Sequence, residues 1–113
     1  MVLVNARSDV TIASDVSLAL TRAERNRGLL GRDSLDPSAA LVISPCSSIH
    51  TMFMRFPIDV IFVTRDGRVL KTRAAIPAWR MAFGRGAYAT VELPAGAIAE
   101  SGVKPGDRLE LVF

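Results

Sequence analysis

The most constraining feature of the sequence is an Asp66-Gly67 pair that lies between two apolar runs. The first run ends with Val60-Ile61-Phe62-Val63, and the second begins with Val69-Leu70. An Asp-Gly pair between two strand-like segments favours a tight turn, because glycine adopts positive φ angles without a steric penalty. The sequence therefore predicts an antiparallel β-hairpin around this turn.

Further short segments of strand character are spread along the rest of the chain. They cover residues 10–20, 40–44, 49–56, 58–64, 89–93 and 109–113. Pro57 separates two of these segments, because a proline cannot donate a hydrogen bond to a neighbouring strand. Residues 76–88 contain Pro77, Gly84 and Gly86, and this composition predicts a long loop or an irregular strand.

Two segments are predicted to form short helices. Thr21 and Glu24 have the spacing of a capping box, and Gly31 is the expected end of the helix that follows. Residues 94–101 fit one or two helical turns closed by Gly102. Together, these segments predict an α+β fold with a mainly antiparallel β-sheet, curled into a small barrel, and two short helices.

The length of the chain, 113 residues, predicts a single domain spanning residues 1–113. Every apolar run is interrupted by charged residues, proline or glycine before it reaches spanning length, so no membrane insertion is expected. The sequence indicates a cytoplasmic protein, although a signal sequence that had been removed would leave no trace in it. Cys46 is the only cysteine, which excludes an intrachain disulfide.

The net charge is +3, and twelve of the fourteen basic residues are arginine. Arginine suits carboxylate and phosphate partners, but acidic residues lie close to most of these arginines in the sequence. No basic block and no nucleic-acid-binding motif accompanies the charge. Nucleic acid is therefore not the expected partner.

Three stretches in order resemble a known family. They are Thr21-Arg22-Ala23-Glu24-Arg25-Asn26-Arg27-Gly28-Leu29, Phe56-Pro57-Ile58-Asp59-Val60-Ile61-Phe62, and Glu92-Leu93-Pro94-Ala95-Gly96 with Gly102 and Gly106-Asp107. They are similar to motifs of the domain of unknown function 192 family, and the resemblance covers nearly the whole chain from Val10. Before Pro57 the chain has residues 49–54 in place of the family's frequent Phe-Trp-Met-Lys-Asn-Thr. The resemblance implies a fold and the position of an interesting face, but it implies no reaction.

Asp59 is the most informative polar residue, because it lies within the apolar segment 58–63. Burying a carboxylate is costly unless it is paired and hydrogen-bonded. The predicted partner is a basic residue, and the candidates are Arg22, Arg25, His50 and Arg55. Such a pair would either dock the first helix on the sheet or line a pocket for a polar or anionic ligand.

Cys46 and His50 suggest a thiol nucleophile with an imidazole base. Pro45 favours an extended chain at this point, which would hold the two side chains well apart. A structural thiol is therefore the preferred interpretation. One histidine and one cysteine do not complete a tetrahedral metal site, so no metal and no cofactor is predicted.

Residues 77–86 combine Trp79 and Phe83 with Arg80, Arg85 and two glycines. This composition is typical of a recognition loop, since aromatic side chains supply contact area and arginines orient an anionic or planar partner. The alternative interpretation is that Trp79 and Phe83 close one end of the fold.

Three hypotheses of function follow from these features. The first is a binding module for a polar or anionic small molecule or a protein segment. Its candidate ligand-binding residues are Arg25, His50, Arg55, Asp59, Trp79 and Arg80. The second is a small hydrolase or transferase with Asp59 or His50 as general base, and the third is an interaction module that docks through a strand edge or the Trp79 loop. The sequence does not specify an oligomeric state.

Overall fold

A computed structural model describes residues 1–113 and contains ten β-strands and two short α-helices. The strands are β1 (Val2–Asn5), β2 (Val10–Ala13), β3 (Asp15–Ala19), β4 (Ala39–Ile43), β5 (Ser48–His50), β6 (Ile58–Val63), β7 (Val69–Ile76), β8 (Met81–Phe83), β9 (Ala89–Pro94) and β10 (Leu109–Val112). The helices are α1 (Arg22–Arg27) and α2 (Ala97–Ser101). No helix is long and apolar enough to cross a membrane.

The strands form three sheets with the orders β10-β1-β2, β3-β4-β9-β6-β7 and β5-β8. The β3–β4 pair is parallel, and every other pair is antiparallel. The predicted α+β class, with mainly antiparallel strands and two short helices, is therefore confirmed. None of the three sheets closes on itself, so the predicted barrel is not confirmed.

The five-stranded sheet separates two clusters of buried apolar side chains. Alternate residues of β6 belong to different clusters, because successive side chains of a strand point to opposite faces. Ile61 and Val63 pack with β1, β2 and β10, whereas Val60 and Phe62 pack on the side of α1 and the β5–β8 pair. All six residues of β6 are buried, which explains the continuous apolar character of this segment.

The predicted hairpin is confirmed between β6 and β7, where Val63 pairs with Val69. Gly67 has a φ of 89°, and a Cβ atom there would lie 2.3 Å from the carbonyl oxygen of Leu109. The turn therefore requires glycine for its backbone conformation and for its close approach to β10.

The capping box of Thr21 and Glu24 is present at the start of α1. The helix ends at Gly28 rather than at the predicted Gly31, because Gly28 has a φ of 48° and its N–H bonds the carbonyl of Glu24. The second predicted helix is also present and ends at Gly102, whose φ is 71°.

Residues 10–20 were expected to form one strand, but they form two strands in different sheets. The backbone N–H groups of Ser14 and Asp15 both donate to the carbonyl of Ser38. This contact redirects the chain after β2, so that β3 pairs with β4 in the five-stranded sheet. A pattern of alternating side chains carries no information about which sheet a strand joins.

The prediction of a core strand over residues 49–56 is wrong beyond residue 50. Thr51 instead begins a turn, and its N–H donates to the carbonyl of Arg80 across 2.8 Å. The segment predicted as a loop or irregular strand contains β8, which pairs with β5 through Ile49 and Ala82. This two-stranded ribbon covers the face of the sheet on which Phe62 lies.

Candidate functional site

Asp59 is completely buried and lies on the face of β6 that α2 approaches. Its Oδ1 accepts a hydrogen bond of 2.8 Å from the N–H of Ala75. Its Oδ2 accepts hydrogen bonds from the N–H groups of Gly96, at 3.1 Å, and Ile98, at 2.9 Å. Three backbone donors therefore satisfy this carboxylate and hold β7 and the start of α2 against β6.

The prediction that Asp59 pairs with a basic residue is wrong, because backbone amides take that role. A guanidinium Nη1 of Arg25 donates to the carbonyl of Leu20 across 2.6 Å, and Arg55 forms an exposed ion pair with Asp33. The exposed fraction of Asp59 is zero, so it has no contact with solvent or with a substrate. Asp59 is therefore excluded as the general base of a reaction.

A cleft of about 620 Å³ opens between α1 and residues 43–50. Of the predicted site residues, Arg25 and His50 line this cleft. Asp59, Arg55, Trp79 and Arg80 lie outside it. The six predicted residues are thus not brought together in one site.

Glu92 also lines this cleft, which we call the Glu92 cleft. It belongs to β9, the central strand of the five-stranded sheet, and it is paired with Leu41 on one side and Val60 on the other. Its exposed fraction is only 4%, and its carboxyl group forms no hydrogen bond or ion pair with the chain. Because no buried side-chain oxygen lacks a hydrogen-bond partner, the carboxyl oxygens of Glu92 are open to solvent in the cleft. A carboxyl oxygen lies near α1, since a Cβ atom at Gly28 would be 3.4 Å from Oε1.

Burial raises the pKa of Glu92 to about 7, and the positive charge of Arg32 opposes this rise. The apolar neighbours Leu41 and Val60 provide no compensation for a negative charge. Near neutral pH the side chain is therefore present in both its protonated and its ionised form. It accepts hydrogen bonds in either form and donates one when protonated.

Cys46 and His50 both line this cleft, but no hydrogen bond joins the Cys46 thiol to the imidazole. The Cys46 thiol donates to the carbonyl of Ser48 across 3.0 Å. The backbone carbonyl of Cys46 accepts a hydrogen bond of 3.0 Å from the buried hydroxyl of Thr90. This second bond fixes the wall of the cleft to β9, two residues before Glu92.

Trp79 and Phe83 lie on the surface and do not close an end of the fold. They belong to a group of exposed apolar side chains, which we call the aromatic surface. Its members are Met52, Phe53, Trp79, Met81 and Phe83. The rings of Phe53 and Trp79 are in contact, with centroids 4.6 Å apart.

Sequence reasoning missed Glu92, which was indistinguishable by its spacing from a solvated residue. Two signals were present in the sequence. Glu92 opens the third motif of the family resemblance, and it lies in the strand-like segment 89–93 between Val91 and Leu93. Only the position of β9 at the centre of the sheet shows that both faces of this strand are buried.

The fold and the cleft define a small α+β domain in which a largely buried glutamate lines a surface cleft. The chain belongs to the domain of unknown function 192 family, described as an uncharacterised ancient conserved region, whose model matches residues 3–111. This result confirms the resemblance found in the three sequence motifs. No curated protein matches the sequence.

Two solved structures are similar to this chain. One is a candidate transcription regulator from Sinorhizobium meliloti, with 26% identity and a TM-score of 0.83 over 96% of this chain and 89% of the other. The second is a protein of unknown function from Novosphingobium aromaticivorans, with 28% identity and a TM-score of 0.81. That match covers 97% of this chain and 83% of the other.

Proposed function

We propose that this domain binds a small polar molecule in the Glu92 cleft. The observation that carries the proposal is the carboxyl group of Glu92, which forms no hydrogen bond with the chain and lines the cleft, although the residue as a whole is only 4% exposed. A polar group that lines a pocket and is not used by the chain itself can fix the orientation of a ligand through a hydrogen bond. The oxygens of Glu92 keep a small exposure to solvent in the cleft, so a ligand that bonds to them would take the place of water.

The size and lining of the cleft support a ligand of low molecular weight. Its volume of about 620 Å³ lies within the range of small-molecule pockets. Leu29, Ile49 and Met54 offer apolar contacts, while Arg25 and Arg27 place positive charge along the α1 side. This combination fits a ligand with a polar or anionic group for the arginines and a hydrogen-bonding group for Glu92.

The proposal can be tested by thermal-shift and calorimetric measurements with amino acids, organic acids, sugar phosphates and nucleotides. A compound that binds in the cleft should raise the melting temperature of the parent protein. Glu92→Gln keeps the shape of the side chain but loses its charge and its acid proton, and it should weaken binding by about tenfold or more. Glu100→Gln, on the exposed face of α2, is the matched control and should bind as the parent does.

Two results would contradict this function. One is that no compound of the panel stabilises the parent protein, and the other is that a bound compound is insensitive to both Glu92→Gln and Arg25→Ala. In the second case, nuclear magnetic resonance shifts would map the binding surface directly. Shifts confined to residues outside the cleft would exclude it as the site.

The hydrolase or transferase hypothesis now rests on His50 alone, because Asp59 is sealed from solvent. His50 lines the Glu92 cleft, so a ligand there would have an imidazole within the same site. Incubating the bound compound with the parent protein and with His50→Gln distinguishes the two functions. Chemical change of the compound by the parent alone would favour an enzyme over a binding module.

A further inference from the structure

The aromatic surface exposes more apolar area than single scattered residues do. Phe53 is 72% exposed and Trp79 is 57% exposed, and Met81 and Phe83 project from the outer face of the β5–β8 ribbon. The five side chains expose on the order of 500 Å², a size at which surface patches commonly serve an interface. None of its five members lines the Glu92 cleft, although Met81 and Phe83 adjoin it as the cross-strand partners of His50 and Ser48.

The backbone holds the two central aromatic residues in a costly conformation. Phe53 has a φ of 63° and Trp79 has a φ of 65°, values that bulky side chains rarely adopt. The buried Thr51 maintains this arrangement by bonding both loops. Its carbonyl accepts the N–H of Trp79 at 3.0 Å, and its hydroxyl donates to the carbonyl of Pro77 at 2.6 Å and accepts the N–H of Arg80 at 2.9 Å. The aromatic rings are therefore presented to solvent before any partner arrives.

Positive charge borders the aromatic surface. Residues 46–57 and 76–91 contain no aspartate and no glutamate. Arg80 follows Trp79 directly, and the ammonium group of Lys71 donates to the carbonyl of Phe83 across 2.8 Å. An apolar patch with a cationic border is complementary to a surface that is negatively charged outside and apolar beneath.

We propose that the aromatic surface docks the domain on the headgroup region of an anionic lipid bilayer. Tryptophan and phenylalanine side chains partition favourably into this region, and anionic lipids attract the neighbouring arginine and lysine. A bilayer also requires no matching shape, and the two main cavities of the molecule include no residue of this surface. The contact is peripheral, with the side chains entering the interface and the backbone staying outside it.

Trp79 is the only tryptophan of the chain, so its fluorescence reports directly on this surface. With phosphatidylglycerol vesicles at low salt, the emission should move to shorter wavelength and the protein should sediment with the lipid. Phosphatidylcholine vesicles should bind at least tenfold more weakly, and added salt should release the protein from phosphatidylglycerol. If the Trp79 emission shifts equally with vesicles of either lipid, the proposed role of the positive charge is wrong.

Phe53→Ser should weaken binding to phosphatidylglycerol by about tenfold, because it removes one inserted ring. Phe113→Ser is the matched control, since Phe113 is 95% exposed and lies outside the aromatic surface. Lys71→Gln with Arg80→Gln should also weaken binding, whereas Arg22→Gln on α1 should not. Melting temperatures of all variants would confirm that each is folded.

Failure of the parent protein to bind phosphatidylglycerol at low salt would overturn the proposal, as would equal losses in Phe53→Ser and Phe113→Ser. Sedimentation of the lipid-free protein tests the alternative occupant, a second copy of the chain. If the protein self-associates through this surface and ignores vesicles, the surface is a protein interface instead. None of these outcomes depends on whether the Glu92 cleft binds a ligand.

Discussion

The buried carboxylate of Asp59 on β6 accepts a hydrogen bond of 2.8 Å from the backbone N–H of Ala75 on β7, and Ala75 has a φ of 50°. The unusual conformation of Ala75 lies where the pairing of β6 and β7 shifts register, between Ile58 and Val60. The other oxygen of Asp59 bonds to two N–H groups at the start of α2. The Asp59 side chain therefore connects β6 to the irregular part of β7 and to the start of α2.

Replacing Asp59 by Asn should destabilise the fold by about 3 kcal/mol or more. The substitution would remove the negative charge that accepts hydrogen bonds from three N–H groups. The side-chain NH2 group of the asparagine would face at least one of these N–H groups, and two donors cannot form a hydrogen bond with each other. Urea denaturation monitored by circular dichroism measures the change. Asp33→Asn, which affects only an exposed ion pair, should change the free energy of unfolding by less than about 0.5 kcal/mol. Similar values for the two variants would contradict the structural role of Asp59.

Ala75→Gly should stabilise the protein by about 1 kcal/mol, because glycine adopts a positive φ without strain. The N–H that bonds to Asp59 is kept in this variant. Ala74→Gly provides the matched control in the same strand. Ala74 lies in the same irregularity but has no positive φ, so glycine gains no such relief there and should destabilise the protein by about 0.5–1 kcal/mol. The prediction fails if both changes shift the urea midpoint in the same direction.

The free energy of unfolding should fall as the pH rises from about 4.5 to about 7, because the pKa of Glu92 is raised by burial to about 7. The folded protein keeps a proton on Glu92 that the unfolded chain releases above its ordinary pKa, so the unfolded state is favoured as the pH rises. The expected loss between pH 5 and pH 8 is about 2–3 kcal/mol. Above pH 7 the contribution of Glu92 to the free energy of unfolding no longer changes with pH.

Urea denaturation of the parent and of Glu92→Gln at pH 5 and pH 8 measures this effect. The variant has no ionisable group at this position, so the part of the pH dependence that arises from Glu92 should disappear. Carbon-detected titration of the Glu92 carboxyl gives its pKa directly. A value near that of an exposed glutamate would show that the carboxyl group is hydrated, and both expectations would then be wrong.

Asp107 should stabilise the protein only while it is ionised. Hydrogen bonds from the side chains of Arg7 and Asn5 and from the N–H of Lys104 lower the pKa of its carboxyl group well below the ordinary value. Because the folded-state pKa is lowered, the contribution is complete above about pH 4 and is lost as the pH falls further. The melting temperatures of the parent and of Asp107→Asn should therefore differ at pH 6 and converge towards pH 2. A difference that is the same at both pH values would contradict this role.

Gly84→Ala should destabilise the fold by about 3 kcal/mol, because the added methyl group would lie 2.2 Å from the side chain of Phe62. Phe62 is completely buried in the core cluster beneath the β5–β8 ribbon, so its ring can move aside only by displacing its neighbours. Gly86→Ala is the control within the same segment. Its methyl group meets nothing within 4 Å, and only the strain of a φ of 82° remains, which costs about 1 kcal/mol. Equal costs would show that the ribbon shifts freely away from Phe62.

The family, the β6–β7 hairpin and the capping box of α1 were all predicted from the sequence. Each is a local property: the Asp66-Gly67 turn and the Thr21–Glu24 spacing involve residues that are neighbours in the chain. The motifs were sufficient to identify the family because their order and separation are fixed along the sequence. Local patterns also predicted the α+β class correctly.

Only the tertiary structure decided the partner of Asp59, the burial of Glu92 and the place of β3 beside β4. Each of these depends on residues far apart in the chain, such as Asp59 and Ile98 or Glu92 and Gly28. The chemistry of a carboxylate specifies that it needs donors, but backbone N–H groups satisfy it as well as arginine does. Every residue carries a backbone N–H except proline, so the sequence determined that Asp59 must be satisfied and the fold decided which groups satisfy it.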